Sequence, residues 1–435
     1  MNYEDSLKYL YGLGHETLMM NLDLDNTRKI LKQLKNPEAE YKKIQVAGTN
    51  GKGSVCTYVG EICITSGIRT GVYTSPDIVS ITERIKINGS EILPEEFAKN
   101  CTMVRDVCEE LLASGQLFEM PTFFEQVTAI CFNAFAEAKI ELAILETGLG
   151  GRFDSTTAAN AELAVITPID FDHQQYLGNT ISEIAGEKAA IIHKGSHVVS
   201  SLQRPEAMEV ILRQCKQFGI VPEFSDPQIE VNEVFKYGYL SVNIATKKDT
   251  YSNIRLQMLG RHQIDNAALA IITVELLPEL GWKIPKTSII EGLEAATHRG
   301  RLEYRNEILF DGAHNIAGAE ALKKYLDEFV EKPVTIIFGA MKDKDLFSFA
   351  KVLFGRATYL ILTTLNNPRA ASIEDLLKLV PAEFPKHNVF SVQNAGEAVE
   401  KAKTISENGL ICVTGSLYLV GEIQKLLKAT RHGDQ

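Results

Sequence analysis

No CxxC pair occurs among the seven cysteines (Cys56, Cys63, Cys101, Cys108, Cys131, Cys215 and Cys412), so neither a zinc site nor a redox dithiol is indicated. An odd, scattered set reads instead as reduced, mostly buried thiols in a cytosolic compartment. No apolar run reaches the roughly 20 residues that a transmembrane helix needs. The acidic start Met1-Asn2-Tyr3-Glu4-Asp5 lacks the basic and apolar segments of a signal peptide, so a cytoplasmic location is expected. Positive charge is in deficit, and a net charge of −11 argues against binding nucleic acid or an anionic membrane. An anionic substrate is not excluded, because Lys, Arg, metal ions and helix N-termini can reverse the field inside one cleft. No internal repeat or low-complexity segment is present. What remains is ordinary for a globular protein, 45% hydrophobic and 23% charged, and 435 residues suggest two or three domains.

Short β-rich runs alternate with longer amphipathic stretches. Residues 43–47 predict a strand, followed by a glycine-rich turn, a helix over about 53–66 and a strand at 68–73. A helix is expected over 122–139, then the apolar run 142–145 and Gly148-Leu149-Gly150-Gly151. The pattern continues with strands at 163–167 and 198–201 and helices at 181–193 and 205–218. Continuous apolar strands joined by helices imply a mostly parallel sheet covered on both faces. Residues 222–258 differ: Tyr237-Gly238-Tyr239 and the alternating Val242 and Ile244 suggest a small antiparallel patch. Helices expected at 264–277 and 286–296 run into His298-Arg299-Gly300-Arg301, where a domain boundary is placed. Beyond it, strands at 308–310, 334–338, 359–363 and 410–414 give a second, smaller doubly wound domain. The expected organisation is α/β throughout, with a first domain at 1–296, a Rossmann-like second domain at 297–435 and a ligand cleft between them.

Val46-Ala47-Gly48-Thr49-Asn50-Gly51-Lys52-Gly53-Ser54 follows a strand and opens a helix. The amides of such a turn point inward and surround phosphate oxygens, with the helix N-terminus adding positive potential. Lys52 would neutralise the terminal phosphates of ATP, and Ser54 would place a hydroxyl on Mg²⁺. The common loop has its hydroxyl residue directly after the lysine; here Gly53 intervenes. The plainer alternative is a strand-to-helix turn with a solvated lysine. The segment resembles the phosphate loop of the Mur ligase superfamily, and within it the branch of folylpolyglutamate synthase and dihydrofolate synthase. That resemblance implies a P-loop-containing, Mur-ligase-like ATPase domain ahead of the Rossmann-like one.

Glu146-Thr147-Gly148-Leu149-Gly150-Gly151-Arg152-Phe153-Asp154 ends an apolar strand, and strand C-termini face the crevice of a parallel sheet. A carboxylate there suits Mg²⁺, a hard ion that prefers oxygen, or it caps a nearby helix. Asp170-Phe171-Asp172-His173 follows another strand; a lone histidine is more often a hydrogen-bonded surface imidazole than a ligand. The resemblance assigns Ser75, Glu146 and His173 to one Mg²⁺ and Ser54 with Glu146 to a second. In Tyr73-Thr74-Ser75-Pro76 the family's next residue is histidine, and Asp77 replaces it here. Lys188, in Gly186-Glu187-Lys188-Ala189, would ordinarily be a solvated helix residue; the matching family lysine is carbamylated and helps to hold the metal. Lys52, Glu146, His173 and Lys188 thus form the expected catalytic set.

Pro121 and Thr122 suit a helix start, and Phe123 and Phe124 after them read either as core packing or as a platform for a flat ring. The resemblance places the pteridine end of the substrate at Thr122, Phe123 and Phe124. It gives Asn266, in Gly260-Arg261-His262-Gln263-Ile264-Asp265-Asn266, a contact to adenine, although Asp265 and Asn266 also carry an N-cap signal. It further gives Arg301 a phosphate contact and Asp311 and His314, in Asp311-Gly312-Ala313-His314-Asn315, contacts to the nucleotide. Gly339-Ala340-Met341-Lys342-Asp343-Lys344-Asp345 and Gly415-Ser416-Leu417-Tyr418 also fit, so the resemblance covers nearly the whole chain.

The activity it implies is ATP-dependent addition of L-glutamate to a folate or dihydropteroate carboxylate through an acyl phosphate, by a monomer. Two other readings are weighed against it. A peptidoglycan Mur ligase would need an N-terminal nucleotide-sugar domain, for which the leader before Gly48 has no room. A nucleotide-binding module without ligase activity would not need the full set of metal and second-domain motifs. Which of the two folate activities the chain has stays open at this level.

Overall fold

The structure, a computed structural model, describes residues 1–14 and 23–432. The first sheet is built from β1 (Lys42–Ala47), β2 (Thr70–Tyr73), β3 (Ile85–Ile87), β4 (Ser90–Glu91), β5 (Leu142–Glu146), β6 (Leu163–Ile166), β7 (His197–Ser201) and β8 (Glu223–Ser225). Their order is β4-β3-β2-β5-β1-β6-β7-β8. Neighbours from β2 to β8 pair in parallel, and the short hairpin β3–β4 adds to the edge antiparallel. Side chains on a strand alternate between faces, and here each face has its own core. Leu142 and Ile144 of β5 pack with Val55, Val59, Ile271 and Leu293, whereas Ala143 and Leu145 pack with Val127, Ile130 and Phe135.

The first of these cores is closed by three helices, Lys52–Thr65, His262–Val274 and Lys286–Ala295. Their contact is tight because Gly292 has no side chain: a Cβ there would stand 2.5 Å from the Ile62 Cα and 2.6 Å from its nitrogen. The helix that carries the phosphate loop is thereby held from behind by the last helix before the second sheet.

A second, antiparallel sheet, β9 (Gln228–Val234), β10 (Leu240–Ala245) and β11 (Thr250–Leu256), runs in the order β11-β10-β9. It occupies the stretch expected to be antiparallel, except that β8 joins the main sheet. The third sheet comprises β12 (Glu303–Arg305), β13 (Ile308–Phe310), β14 (Val334–Phe338), β15 (Tyr359–Thr363), β16 (Val389–Val392) and β17 (Leu410–Thr414), in the order β12-β13-β17-β14-β15-β16. All of its pairs but β12–β13 are parallel. Its apolar strands are covered on both sides by helices such as Ile316–Phe329 and Ala395–Ile405.

The turn between β9 and β10 reaches the third sheet's helices. Tyr325 Oη donates to the Tyr237 carbonyl at 2.7 Å, and Arg261 grips the carboxylate of Glu328 through Nε and Nη2. Among the described residues no helix is long and apolar enough to cross a membrane. Because the Gly292 contact is backbone to backbone, Gly292→Ala forces the two helices apart. We expect it to cost about 1–3 kcal/mol, the usual range for overpacking, in a urea unfolding experiment; unchanged stability would contradict the packing described.

Candidate active site

The chain's order and the sheet's order differ most around β1, whose neighbours are β5 and β6. The C-terminal ends of these three strands therefore deliver the phosphate loop, Glu146 and the Asp170–His173 segment to one edge. Gly51 has φ +88° and precedes the helix Lys52–Thr65; a Cβ there would meet Asn266 Oδ1 at 2.5 Å, so the asparagine lies on the loop. Asn266 and Asp265 sit inside the helix His262–Val274, whose N-cap is Arg261, so the capping alternative does not hold. Lys52 folds back and donates to the carbonyls of Gly48 and Thr49 at 3.1 and 3.2 Å. Thr49 is pinned to the next strand's loop, its hydroxyl exchanging hydrogen bonds with the backbone of Asp170.

Lys188 lies beneath this loop, 5% exposed, and its Nζ donates to the Gly48 carbonyl at 2.7 Å. Burial, reinforced by the charge of Lys52, pushes its pKa down to about 7. It is not a solvated helix residue.

Glu146 is also buried, and its Oε2 accepts from the Ser75 amide at 3.2 Å rather than capping a helix. Burial raises its pKa, and Lys52, the Ser75 amide and Arg301 pull it back. Beyond it, Asp154 collects the amides of Gly148, Leu149 and Thr156, which fixes the glycine-rich turn. Asp77 pairs with the buried Arg84 at 2.6 Å, a structural role for the residue standing in place of the family's histidine. Ser54 is buried and its hydroxyl accepts from Gln263 Nε2 at 3.1 Å; Gln263 in turn accepts from Asn266 Nδ2 at 3.0 Å.

The second domain faces this edge with its own strand ends. Asn315 Nδ2 donates to Asn50 Oδ1 at 3.1 Å, and Lys344 Nζ donates to Asp172 Oδ1 at 2.8 Å and to His173 Nε2 at 3.3 Å. His314 Nε2 stands 4.0 Å from Asp172 Oδ2, with its Nδ1 on the Gly312 carbonyl. Burial alone would raise the Asp172 carboxyl, but His173, Lys344 and His314 hold it well below the usual carboxylate range. His173 itself is pushed down to about 3, mainly by burial, and so offers a neutral imidazole. Asp311 accepts from the amides of Leu302 and Ala313 at 2.9 and 3.0 Å, tying the linker to β13. The Arg301 charge acts on Glu146, Asp311, His262, His298 and His314 together.

Between the domains lies a cavity of about 240 Å³, lined among others by Ser75, Thr122, Phe124, His173, His314 and Ser416. Thr122 is the N-cap of the helix Phe123–Glu137, exchanging hydrogen bonds with Glu125 in a capping box. The two aromatics part company. Phe124 lines the cavity, whereas Phe123 is 3% exposed, stacked on Tyr11 and against Arg84 in the core. Phe123 is thus a core residue, because successive positions on a helix point about 100° apart.

Asp172, Gln263, His298 and Lys344 were not singled out from the sequence, although each lies inside a motif that was. Among the described residues no three His, Cys, Asp or Glu side chains converge to hold an ion. The buried Glu146 beside the phosphate loop offers a carboxylate of the kind that holds Mg²⁺ together with substrate phosphates.

Residues 46–274 match the Mur ligase middle domain and residues 300–417 the Mur ligase glutamate ligase domain. The chain is 33% identical to the dihydrofolate synthase/folylpolyglutamate synthase of Bacillus subtilis (strain 168), over 98% of this chain and 99% of that one. In fold it is similar to Mycobacterium tuberculosis folylpolyglutamate synthase complexed with ADP and AMPPCP, with a TM-score of 0.90 and 30% identity over 98% and 99% of the two chains. E. coli FolC in complex with DHPP and ADP gives a TM-score of 0.85 at 25% identity, over 99% of each chain.

The crowding of neutral histidines around the cleft has a consequence for acid stability. Burial, with the neighbouring Arg301, takes His262 from 6.5 to about 4 and His298 to about 3. Burial, with Lys344, takes His314 to about 4. Between those values and 6.5 the unfolded chain binds more protons, so stability is lost as pH falls through that window. The urea midpoint is expected to be lower at a pH of about 5 than at about 7; an equal or higher midpoint at the lower pH would contradict the buried, neutral assignment.

Proposed function

The chain belongs to the Mur ligase family, in its dihydrofolate synthase and folylpolyglutamate synthase branch, and we propose on that premise that one active site adds L-glutamate both to dihydropteroate and to folates already carrying glutamate. It is an ATP-dependent, ADP-forming ligase of the folate group. The observation that carries the reading is the convergence of three adjacent strand ends of one domain on the strand ends of the other, joined at Asn50–Asn315 and Asp172–Lys344. The bifunctional name of the Bacillus subtilis relative, matched over both full lengths, supports the pair of activities.

In this reading the amides of Gly48, Gly51 and Gly53 cradle the phosphates of ATP, those of Thr49 and Asn50 donating to the Pro168 carbonyl and fixing the loop, with Lys52 and Arg301 offsetting the phosphate charge. Asn266 reads the adenine, and Asp311 and His314 border the nucleotide from the second domain. Ser54, Ser75, Glu146 and His173 would hold two Mg²⁺ ions, Ser54 on release from its hydrogen bond with Gln263. Bound there, magnesium would neutralise charge between the terminal phosphates and keep them in line for attack. Thr122 and Phe124 place the pteridine end so that the substrate carboxylate reaches the γ-phosphate. Phosphorylation of that carboxylate gives an acyl phosphate, whose phosphate leaves when the glutamate amine attacks. The Lys344–Asp172–His314 contacts close the cleft and keep water from the intermediate.

The chain divides, on this account, into 1–296 and 297–435, since the helix Lys286–Ala295 packs on the first domain and β12 opens the third sheet. Residues 15–22 and 433–435 of those spans lie outside the described ones. A cytoplasmic monomer completes the reading. All seven cysteines are buried and unpaired, as a reducing compartment allows, and both walls of the cleft come from one chain.

The experiment is ADP formation from Mg-ATP and glutamate with either dihydropteroate or a reduced monoglutamyl folate, each product identified by mass. Turnover with both supports the proposal, and turnover with one alone reduces it to a single synthase. Glu146→Gln and Lys52→Ala are each expected to lower kcat by about 10²–10³ or more, as losses of electrostatic stabilisation do, with unfolding unchanged. Near-normal turnover in either would remove the assigned site.

We also propose that Lys188 is carbamylated. A pKa near 7 leaves much of its amine neutral and nucleophilic toward CO₂, and the carbamate keeps one N–H for the Gly48 carbonyl. With ¹³C-bicarbonate the protein should show a carbamate carbon resonance that Lys188→Met lacks. An identical spectrum from the two proteins would contradict it.

A further inference from the structure

Two features at the phosphate loop point to His298, in the linker before Arg301. The first is Gly53, which stands where the common loop carries a hydroxyl residue. A Cβ on Gly53 would lie 2.5 Å from His298 Cε1 and 3.3 Å from its Nε2, so the imidazole fills the volume that a side chain there would need. Glu146 Oε2 lies 3.4 Å from the same point, which puts the ring and the carboxylate side by side at the first turn of the loop's helix. The second feature is the ring's Nδ1, which is buried and has no hydrogen-bond partner among the described residues. A buried polar atom left unpaired costs free energy unless a ligand or water completes it.

The remaining hydroxyl of the loop does not fill this gap in the structure. Ser54 is turned toward the helix His262–Val274, where its Oγ accepts from Gln263. The residue whose Cβ direction faces Glu146 is Gly53, and the group occupying that direction is the imidazole.

We propose that His298 takes the place of the missing loop hydroxyl: one ring nitrogen holds a water on the ion that Glu146 would bind at the terminal phosphates of the nucleotide. Neutral imidazole suits the task, since its lone pair accepts from a metal-bound water without adding charge beside the ion. His298 is then a positioning residue, acting on the metal through water as groups just outside a ligand shell do. Its place in the linker, three residues before Arg301, makes the metal site depend on the segment that joins the domains. The inference rests on the nucleotide–magnesium part of the folate-ligase reading, and on neither folate nor glutamate.

The test therefore uses ADP and magnesium alone, by calorimetry on the full-length protein, in excess Mg²⁺ and in EDTA. The wild-type chain should bind ADP more tightly with magnesium. His298→Ala should lose roughly tenfold of that enhancement, the lower end of what such outer partners contribute, with affinity in EDTA unchanged. Gly53→Ser should bind poorly because its Cβ meets the ring. In the double variant the clash is gone and a hydroxyl is restored beside Glu146, so most of the magnesium enhancement should return. A thermal melt checks each fold, and His298→Asn, smaller and still polar, serves if the alanine variant unfolds. The proposal is overturned by an unchanged enhancement in His298→Ala, by equal losses with and without magnesium, or by a double variant no better than His298→Ala. No magnesium effect in the wild type would overturn it together with the metal assignment, whereas failure of folate turnover alone would leave it standing.

Discussion

The Gly48 carbonyl accepts from two ammonium groups, Lys188 at 2.7 Å and Lys52 at 3.1 Å. Both lysines spend hydrogen bonds on backbone, and the charge of Lys52 adds to burial in lowering the Lys188 pKa. Phosphate oxygens arriving at the loop take the free amides at the start of its helix and offset the charge of Lys52. Much of the surrounding structure follows from holding those groups together. Glu146 has to be near enough to feel Lys52 yet buried enough to remain a strong ligand. Gly292 has to be small so that the loop's helix has a rigid support.

The second constraint is that the cleft has two walls. Asp172 sits between His173 on its own segment and Lys344 and His314 from the other domain, and its low pKa is the electrostatic signature of that meeting. A carboxylate so placed favours the approach of the second domain, alongside the apolar contacts that Ile78, Tyr239 and Leu259 make with that domain's core. Two further hydrogen-bonded contacts set the direction from which the domain arrives, Tyr325 with the turn after β9 and Arg261, at the start of the helix His262–Val274, with Glu328.

Much of this was legible in the sequence because parallel strands buried on both faces leave continuous apolar runs, and because the phosphate loop and Glu146 end two such runs. The helix Pro94–Ala113, of 20 residues, was not anticipated, and the strands that escaped were short. β4 has two residues and β12 three, lengths at which alternation cannot show. β8, with three, was folded into the antiparallel patch for the same reason. At the site, the pattern marked Phe123 and Phe124 equally, and only packing distinguishes the core ring from the one facing the cavity. Asp172, Gln263 and His298 escaped because their importance lies in partners far away along the chain. Gln263 bridges to Ser54, 209 residues distant, and Lys344 reaches Asp172 across 172. No local spacing encodes such pairs.

The central claim is that a substrate carboxylate attacks the γ-phosphate in this cleft before the amine arrives. It is tested most directly by labelling that carboxylate with ¹⁸O and following the label through turnover with Mg-ATP and glutamate. Transfer through an acyl phosphate predicts that one labelled oxygen per amide formed appears in the released phosphate. Released phosphate free of ¹⁸O, with the amide still forming, would contradict it.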